Sequence, residues 1–571
     1  MYKTIYESLE EQAPQGLLDL NSKPAVLCML DSRDKTRASL EEIWRLFDAG
    51  WEIWATSGTA NFLEDPGKFL HGETGLEPVP ARNIADLIHH SPAMGHRMAS
   101  CSWETNSGLI SDQSNIAHDH YLFTNSIPKF QLLIDTVYGL DEEMANPKST
   151  WKSRLEKTDF GGPAALRAAA KGRRAIVFNV NQLEPVITRL LAGDVTPEWL
   201  EEMAAETEFF CAHYAGLSAA NISNGRLQTI QLREQRKLRY GENPYQSGWL
   251  LAREHGHDEP LAISKFEVVS PEREPSFVNI TDLDDALKTL TTLAAANELN
   301  GHLWKPFYGV AVKHGIPVGL AMDYDPSEVI RKVFTANRQA AYGCVAMFSF
   351  PLNRNLAGKL LHGFLPANEK FRFFEGLAAP EFTGEGTLQK LGGVERKKLL
   401  LRNSALLNLD LAALDATPEY RPVRGGTLVQ TGNRYLLDFR DLTVYGQAPD
   451  QVLSADLLLA WSACACTKSN CTAIANDGLL VGNGASNQDR VGSCRDALSQ
   501  AGDRAKRGVA VTCSFFPAVD GLQALIEGGV RTVMACSGSA KVDQDIIELA
   551  AQANITLIHI SAEIGKLFSG H

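Results

Sequence analysis

The side chains best suited to chemistry sit in polar islands of the C-terminal half: Arg239-Tyr240-Gly241-Glu242-Asn243-Pro244, Lys313-His314, Lys468-Ser469-Asn470, Arg490, and Phe515-Phe516-Pro517 with Asp520. Arg239 and Arg490 can clamp a phosphate with planar guanidinium forks, His314 can take a proton, and Asn470 can hydrogen-bond an amide or a carbonyl. The islands fit one active site for a phosphorylated substrate. Taken singly, each has a plainer reading. Arg239 could be an exposed arginine beside a Gly-Glu-Asn-Pro turn, His314 a satisfied histidine at a strand end, and Gly482 to Arg490 an ordinary glycine-rich loop.

Islands so far apart in sequence need strands and helices to bring them together. Over residues 24–220, short apolar runs such as Pro24 to Leu30 and Ala175 to Val180 alternate with helix-like stretches, Ser39 to Asp48 and Pro197 to His213. This alternation predicts an α/β fold with a mostly parallel sheet wrapped by helices. Residues 1–222 read as one domain, and the Asn-, Gln-, Arg- and Lys-rich stretch 223–236 reads as a linker. The pattern then repeats twice within 237–571, roughly over 237–375 and 440–571, around an irregular middle. Phe307 to Val312 reads as a strand that delivers Lys313-His314.

At 571 residues and 44% hydrophobic content, the chain is long enough for several cores. A net charge of −13 disfavours nonspecific binding to nucleic acid or anionic lipid, so an anionic substrate requires a local basic pocket. No apolar run approaches bilayer-spanning length, and Met1 to Lys23 lacks the pattern of a signal peptide, which points to the cytoplasm. Cys464, Cys466 and Cys471 lie close in sequence. Without a second Cys or His pair at zinc-ligand spacing they read as core thiols, the first at the end of a buried helix over Leu457 to Cys464, so neither metal nor disulfide is expected.

In the N-terminal part, Asp34-Lys35-Thr36 follows one apolar run and Ser57-Gly58-Thr59 follows another, Trp51 to Trp54. Such loops can cradle a phosphate, and they can equally cap helices.

Over nearly the whole chain these motifs resemble the bifunctional purine-biosynthesis family that joins aminoimidazole carboxamide ribonucleotide transformylase to IMP cyclohydrolase. Leu238 to Gln246 is similar to LRYGENPHQ, Lys313 to Gly319 to KHANPCG, and Lys468-Ser469-Asn470 to KSN. Gly482 to Arg490 is similar to GIGAGQMSR, and the segment through Phe515-Phe516-Pro517 to Asp520 resembles SDAFFPFRD. The resemblance implies that His314, with Lys313 beside it, accepts the proton, while Asn470 orients the reacting amine and carboxamide. It gives nucleotide contacts to Arg239, Tyr240, Gly343, Glu375, Arg490, Phe515 and Lys566, and the folate pterin to Asp520. It further implies 10-formyltetrahydrofolate as co-substrate and a homodimer with shared sites. The implied fold is a methylglyoxal-synthase-like N-terminal domain followed by two cytidine-deaminase-like domains without zinc.

The same resemblance exposes departures. Asp34-Lys35-Thr36 and Ser57-Gly58-Thr59 fall on the cyclohydrolase phosphate loops SDKT and SGGT, and Asp159 and Lys171 match positions near the ring being closed. Gly95 to Trp103 aligns with GRVKTLHP, where Arg97 is kept but Ala99 replaces the lysine. Ile127, in Asn125-Ser126-Ile127-Pro128, takes the place of the tyrosine of NLYPF. An aliphatic side chain cannot stabilise an oxyanion or move a proton, so the cyclohydrolase activity is expected to be lost. In the transformylase half, Ile316 and Val318 replace a polar residue and a thiol, and Cys513 replaces an acidic residue. These changes keep two alternatives open: a paralogue that formylates a different amine, and a silent nucleotide-binding paralogue.

Overall fold

Every residue of the apolar run Ala25–Met29 is buried, and this strand, β1, lies in the first of the two units into which the computed structural model divides, Met1–Gln231 and Leu232–His571. The structure describes residues 23–88, 100–112, 114–253, 259–270, 273–301, 306–367, 369–392, 398–415 and 417–569, so Arg97 and Ala99 lie outside it.

In the first unit β1, β2 (Glu52–Ala55), β3 (Arg82–Asn83), β4 (Phe130–Asp135) and β5 (Ala175–Val177) form a parallel sheet in the order β3-β2-β1-β4-β5. Strand alternation sends Val26 and Cys28 to one face, against Leu40, Ile43 and Leu46 of helix α1 (Arg37–Asp48). Helix α2 (Ser57–Glu64) adds Phe62 to the same face. Ala25, Leu27 and Met29 go to the other face, against Leu166 and Ala169 of α3 (Gly161–Lys171) and Ala204 of α4 (Pro197–Ile222). Helix α4 runs nine residues past the predicted end at His213. The predicted linker 223–236 is correspondingly shorter, because Leu232–Leu238 is already a strand, β6, paired antiparallel with β7 (Gly248–Arg253).

The second unit is built on one twelve-stranded sheet. Its first half contains β8 (Glu267–Val268), α5 (Phe277–Leu299), β9 (Phe307–Lys313), β10 (Ile316–Asp323), α6 (Pro326–Ala336), β11 (Val345–Phe348), α7 (Arg354–His362), β12 (Gly376–Ala379), α8 (Thr387–Gly392) and β13 (Leu399–Arg402). Its second half repeats that order with β14 (Thr443–Tyr445), α9 (Gln451–Ala465), β15 (Thr472–Asn476), β16 (Leu479–Gly484), α10 (Arg490–Ala501), β17 (Val509–Thr512), α11 (Asp520–Glu527), β18 (Thr532–Cys536), α12 (Ala540–Gln552) and β19 (Thr556–Ile560). The sheet order is β14-β19-β18-β17-β15-β16-β10-β9-β11-β12-β13-β8, and β10 meets β16 antiparallel at Ala321 and Leu479. The halves are thus not separate domains, and the first extends beyond the expected boundary at 375 to Arg402. Helices α5 and α9 cover one face, with Leu290, Leu293, Leu458 and Trp461 in a common core; the opposite core takes Val329, Phe334, Leu360, Ala497 and Leu522 from α6, α7, α10 and α11. The predicted buried helix over Leu457 to Cys464 is the inner part of α9.

The repeat extends to the hairpin turns. β9 and β10 are joined by His314 and Gly315, both at positive φ (54° and 74°), and β15 and β16 by Asp477 and Gly478 (56° and 71°). Such two-residue turns match the right-handed strand twist. An aspartate five residues into the preceding helix binds each turn: Asp282 Oδ1 accepts from Gly315 N at 2.8 Å, and Asp456 accepts from Asp477 N at 3.0 Å and Gly478 N at 2.8 Å. Burial raises both carboxyls, Asp456 to about 6. A carboxyl raised on folding holds its proton more tightly in the folded state, so its contribution to stability is complete below the unfolded value near 4 and is lost as pH rises through about 6. Urea midpoints should therefore show wild type losing up to about 3 kcal/mol relative to Asp456→Asn between pH 4 and pH 7. An unchanged difference across that window would show that Asp456 does not titrate there.

Candidate functional site

The strand directions put the candidate residues of the second unit along one sheet edge. Lys313 ends β9, and Gly343 and Glu375 precede β11 and β12. Asn470 precedes β15, Arg490 follows β16, Phe515 follows β17 and Lys566 follows β19.

The first cluster surrounds the histidine turn. His314 occupies a left-handed position that histidine tolerates better than most side chains, and Asp282 anchors the next residue. Lys313 Nζ donates to Tyr342 O at 2.7 Å, beside Gly343, whose φ of 75° suits glycine. Arg239 Nη2 donates to Tyr240 OH at 2.9 Å, and the guanidinium lies over the Tyr240 ring. Glu375 Oε2 accepts from Asn279 Nδ2 at 3.1 Å and faces Arg273 Nη2 at 3.6 Å. Arg273, which sequence reasoning missed, has its pKa lowered first by burial and then by the charge of Arg239. Two guanidinium groups close enough to repel, with one carboxylate beside Arg273, form a place where an anion is favourable. The signal for Arg273 was its position just ahead of the Ser276 capping box that starts α5.

The second cluster surrounds Arg490, which is 7% exposed. Its Nη1 donates to Cys471 O at 2.9 Å and Cys513 Sγ at 3.3 Å, and its Nη2 donates to Asn470 Oδ1 at 3.1 Å. Asn470 Nδ2 donates to Asn487 O at 3.1 Å, and paired backbone hydrogen bonds between Asn470 and Asn487 fix the two loops together. Phe515 packs beside Gly538, where an added Cβ would sit 3.0 Å from its ring. Leu567 N donates to Cys513 O at 2.8 Å, which brings the neighbouring Lys566 to the end of β17. Asp520 is exposed at the start of α11, its carboxylate accepting from Gly521 N. From β12, next to Glu375, to β17, next to Cys513, there are six strand spacings, roughly 29 Å. One chain therefore does not bring these two ends of the edge onto one small nucleotide.

In the first unit, Lys35 Nζ donates to Gly58 O at 2.9 Å, so the two predicted loops meet, and Thr36 also caps α1. Asp159 and Lys171 are separated by the length of α3, about 16 Å. The structure corrects the assignment of Ile127. That residue is buried ahead of β4, whereas the loops around Lys35 and Ser57 follow the C-terminal strand ends. The aromatic residue on the correct side is Tyr138, just past β4, whose phenol is raised by burial and by nearby Asp159. Lys157 Nζ lies 5.7 Å from the Tyr138 ring centre. Asp135 is fully buried, its carboxyl raised well above the ordinary range by burial and by Asp159, and Asp159 is itself raised by burial.

Among the described residues no group of His, Cys, Asp and Glu gathers as metal ligands, and no helix is long and apolar enough to cross a membrane. Fold and site together define an α/β protein with a histidine turn and clustered arginines on one sheet edge. The family model of the AICARFT/IMPCHase bienzyme matches residues 169–500, and the chain belongs to that family. It is 27% identical over 561 residues to the bifunctional purine biosynthesis protein PurH of Prochlorococcus marinus (strain MIT 9303), covering 96% of this chain and 98% of that protein. It is 28% identical over 529 residues to PurH of Anoxybacillus flavithermus (strain DSM 21510 / WK1), covering 90% and 94%. The crystal structure of ForH is 23% identical, covers 35% of this chain and 98% of its own, and superposes with a TM-score of 0.28.

Proposed function

We propose that the chain is a folate-dependent formyltransferase that moves the formyl group of 10-formyltetrahydrofolate to the 5-amino group of aminoimidazole carboxamide ribonucleotide. The observation that carries this reading is the His314 turn, fixed by Asp282, on the sheet edge that also holds Asn470 and Arg490. The amine nitrogen forms a bond to the formyl carbon as the carbon–N10 bond breaks. His314 takes the amine proton and returns it to the leaving N10. Arg239 and Arg273 hold the phosphate, and Asp520 holds the pterin. A second reading keeps the chemistry but changes the amine, and the neutral Cys513 beside Arg490 favours it. We read the fold as a methylglyoxal-synthase-like unit followed by two cytidine-deaminase-like halves, and the location as cytoplasmic.

His314→Ala should lower turnover by about 100- to 10,000-fold while leaving nucleotide binding nearly intact, because a base acts mainly on the transition state. Arg490→Ala should instead raise the nucleotide Michaelis constant first. Steady-state kinetics decide, and near-normal turnover of His314→Ala would remove it from the mechanism.

The N-terminal unit is proposed not to close the ring. With Tyr138 in place of Ile127, that reading rests on Ala99 standing for the lysine. Formylated nucleotide should be cyclised no faster than in a blank, and a rate typical of a cyclohydrolase would overturn this.

We also infer a homodimer, supported by the spacing between the two ends of the edge. Light scattering should give twice the chain mass; a fully active monomer would refute it.

A further inference from the structure

Arg490 is a buried charge on the sheet edge that neutral groups hold. Three of its five N–H groups meet a carbonyl, a thiol and an amide oxygen, and its buried Nε has no partner. The hydrogen bond with Cys464 and burial push the Cys513 thiol up, so this neighbour stays neutral. No carboxylate of the described residues lies within ion-pair distance of the guanidinium. Keeping a cation out of water without a counter-charge is costly, and an anion with two parallel oxygens supplies both the charge and the missing acceptors.

We propose that Arg490 recognises a carboxylate carried by the acceptor's ring next to the reacting amine, where a carboxamide would otherwise stand. This rests on the second formyl-transfer reading above, in which the chemistry is kept and the acceptor amine differs. In the homodimer inferred above, the phosphate of the same molecule is assigned to the other cluster, where Arg239 and Arg273 lie close enough to repel. Asn470, the residue that the resemblance makes the partner of the reacting amine, is bonded to the same guanidinium. A carboxamide offers one acceptor and one NH₂ donor, and the donor would point at the N–H groups of Arg490. A carboxylate offers two acceptors and cancels the charge. Cys513 sets this preference, because a carboxylate at that position would neutralise Arg490 from within the protein.

The test is calorimetric titration of the full-length protein, without folate, with 5-aminoimidazole-4-carboxamide ribonucleotide and with the corresponding 4-carboxylate. Wild type should bind the carboxylate about tenfold tighter or better, Cys513→Ser should keep that preference, and Cys513→Asp should reduce it to about twofold or less. Equal or tighter binding of the carboxamide by wild type overturns the proposal, and this comparison stands even if Cys513→Asp does not fold. If Cys513→Asp weakens 10-formyltetrahydrofolate and leaves both nucleotides unchanged, the carboxylate is the folate's glutamate and the assignment to the acceptor is wrong. If neither nucleotide binds, the formyl-transfer reading itself fails and takes the proposal with it.

Discussion

The pairing of β10 with β16 through Ala321 and Leu479 turns two repeats into one sheet, and the positions of the functional groups follow from it. Because the strands meet antiparallel, the histidine turn of the first half lies on the same edge as the C-terminal strand ends of the second. The second half's own turn, Asp477-Gly478, is sent to the opposite edge. Asn483 stitches this seam: its Nδ2 donates to Pro317 O and Thr467 Oγ1, both at 3.0 Å, and its Oδ1 accepts from Cys471 Sγ at 3.2 Å. Small residues let the helices close over the seam. A Cβ added at Gly319, Gly482 or Gly484 would lie 2.1 Å from the carbonyl oxygen of Val333, Ala497 or Ser493, so a side chain there forces the helix away.

Local pattern carried much of this. Phe307 to Val312 reads as a strand and is one, and the apolar core of α9 reads as a buried helix. The spacing from Asn470 to Arg490 singles out both residues as substrate contacts, and the structure joins them to each other at 3.1 Å, which the spacing does not indicate. What sequence does not reveal is whatever depends on distant pairing. Asp282 is one acidic residue among three within four positions of α5, and only its bond to Gly315 distinguishes it. The extent of the first half was hidden because β12 and β13 are four-residue strands on either side of the six-residue helix α8, all too short for periodicity to mark.

The Ile127 assignment failed for a reason that pattern matching cannot see. In a parallel sheet, loops that bind ligands lie at the C-terminal ends of the strands. The six residues of β4 separate Ile127 from Tyr138, roughly 20 Å of strand. Only the polarity of β4 decides which residue can share a site with Lys35 and Ser57. Asp135, the last residue of β4, is a buried acid whose neighbour Asp159 is also raised, so this end of the first unit holds protonatable groups that an aliphatic reading would not anticipate.

Buried guanidinium groups occur elsewhere, and the contrast bears on Arg490. Arg174 donates to Leu109 O and to Ser111, Arg372 donates to Leu360 O and Gly363 O, and burial pushes both down to about 10. Each ties off chain carbonyls at the ends of nearby helices, where the helix dipole contributes negative potential, although Arg174 Nη1, like Arg490 Nε, has no partner. Arg490 has one carbonyl, a neutral thiol and the amide of Asn470, a side chain on the open edge. A chain with a net charge of −13 has few places where an anion is welcome. Positive charge at this edge therefore stands where Arg239 and Arg273 crowd together and where Arg490 is held by neutral groups alone, which is the basis for proposing one anionic group of the substrate at each cluster.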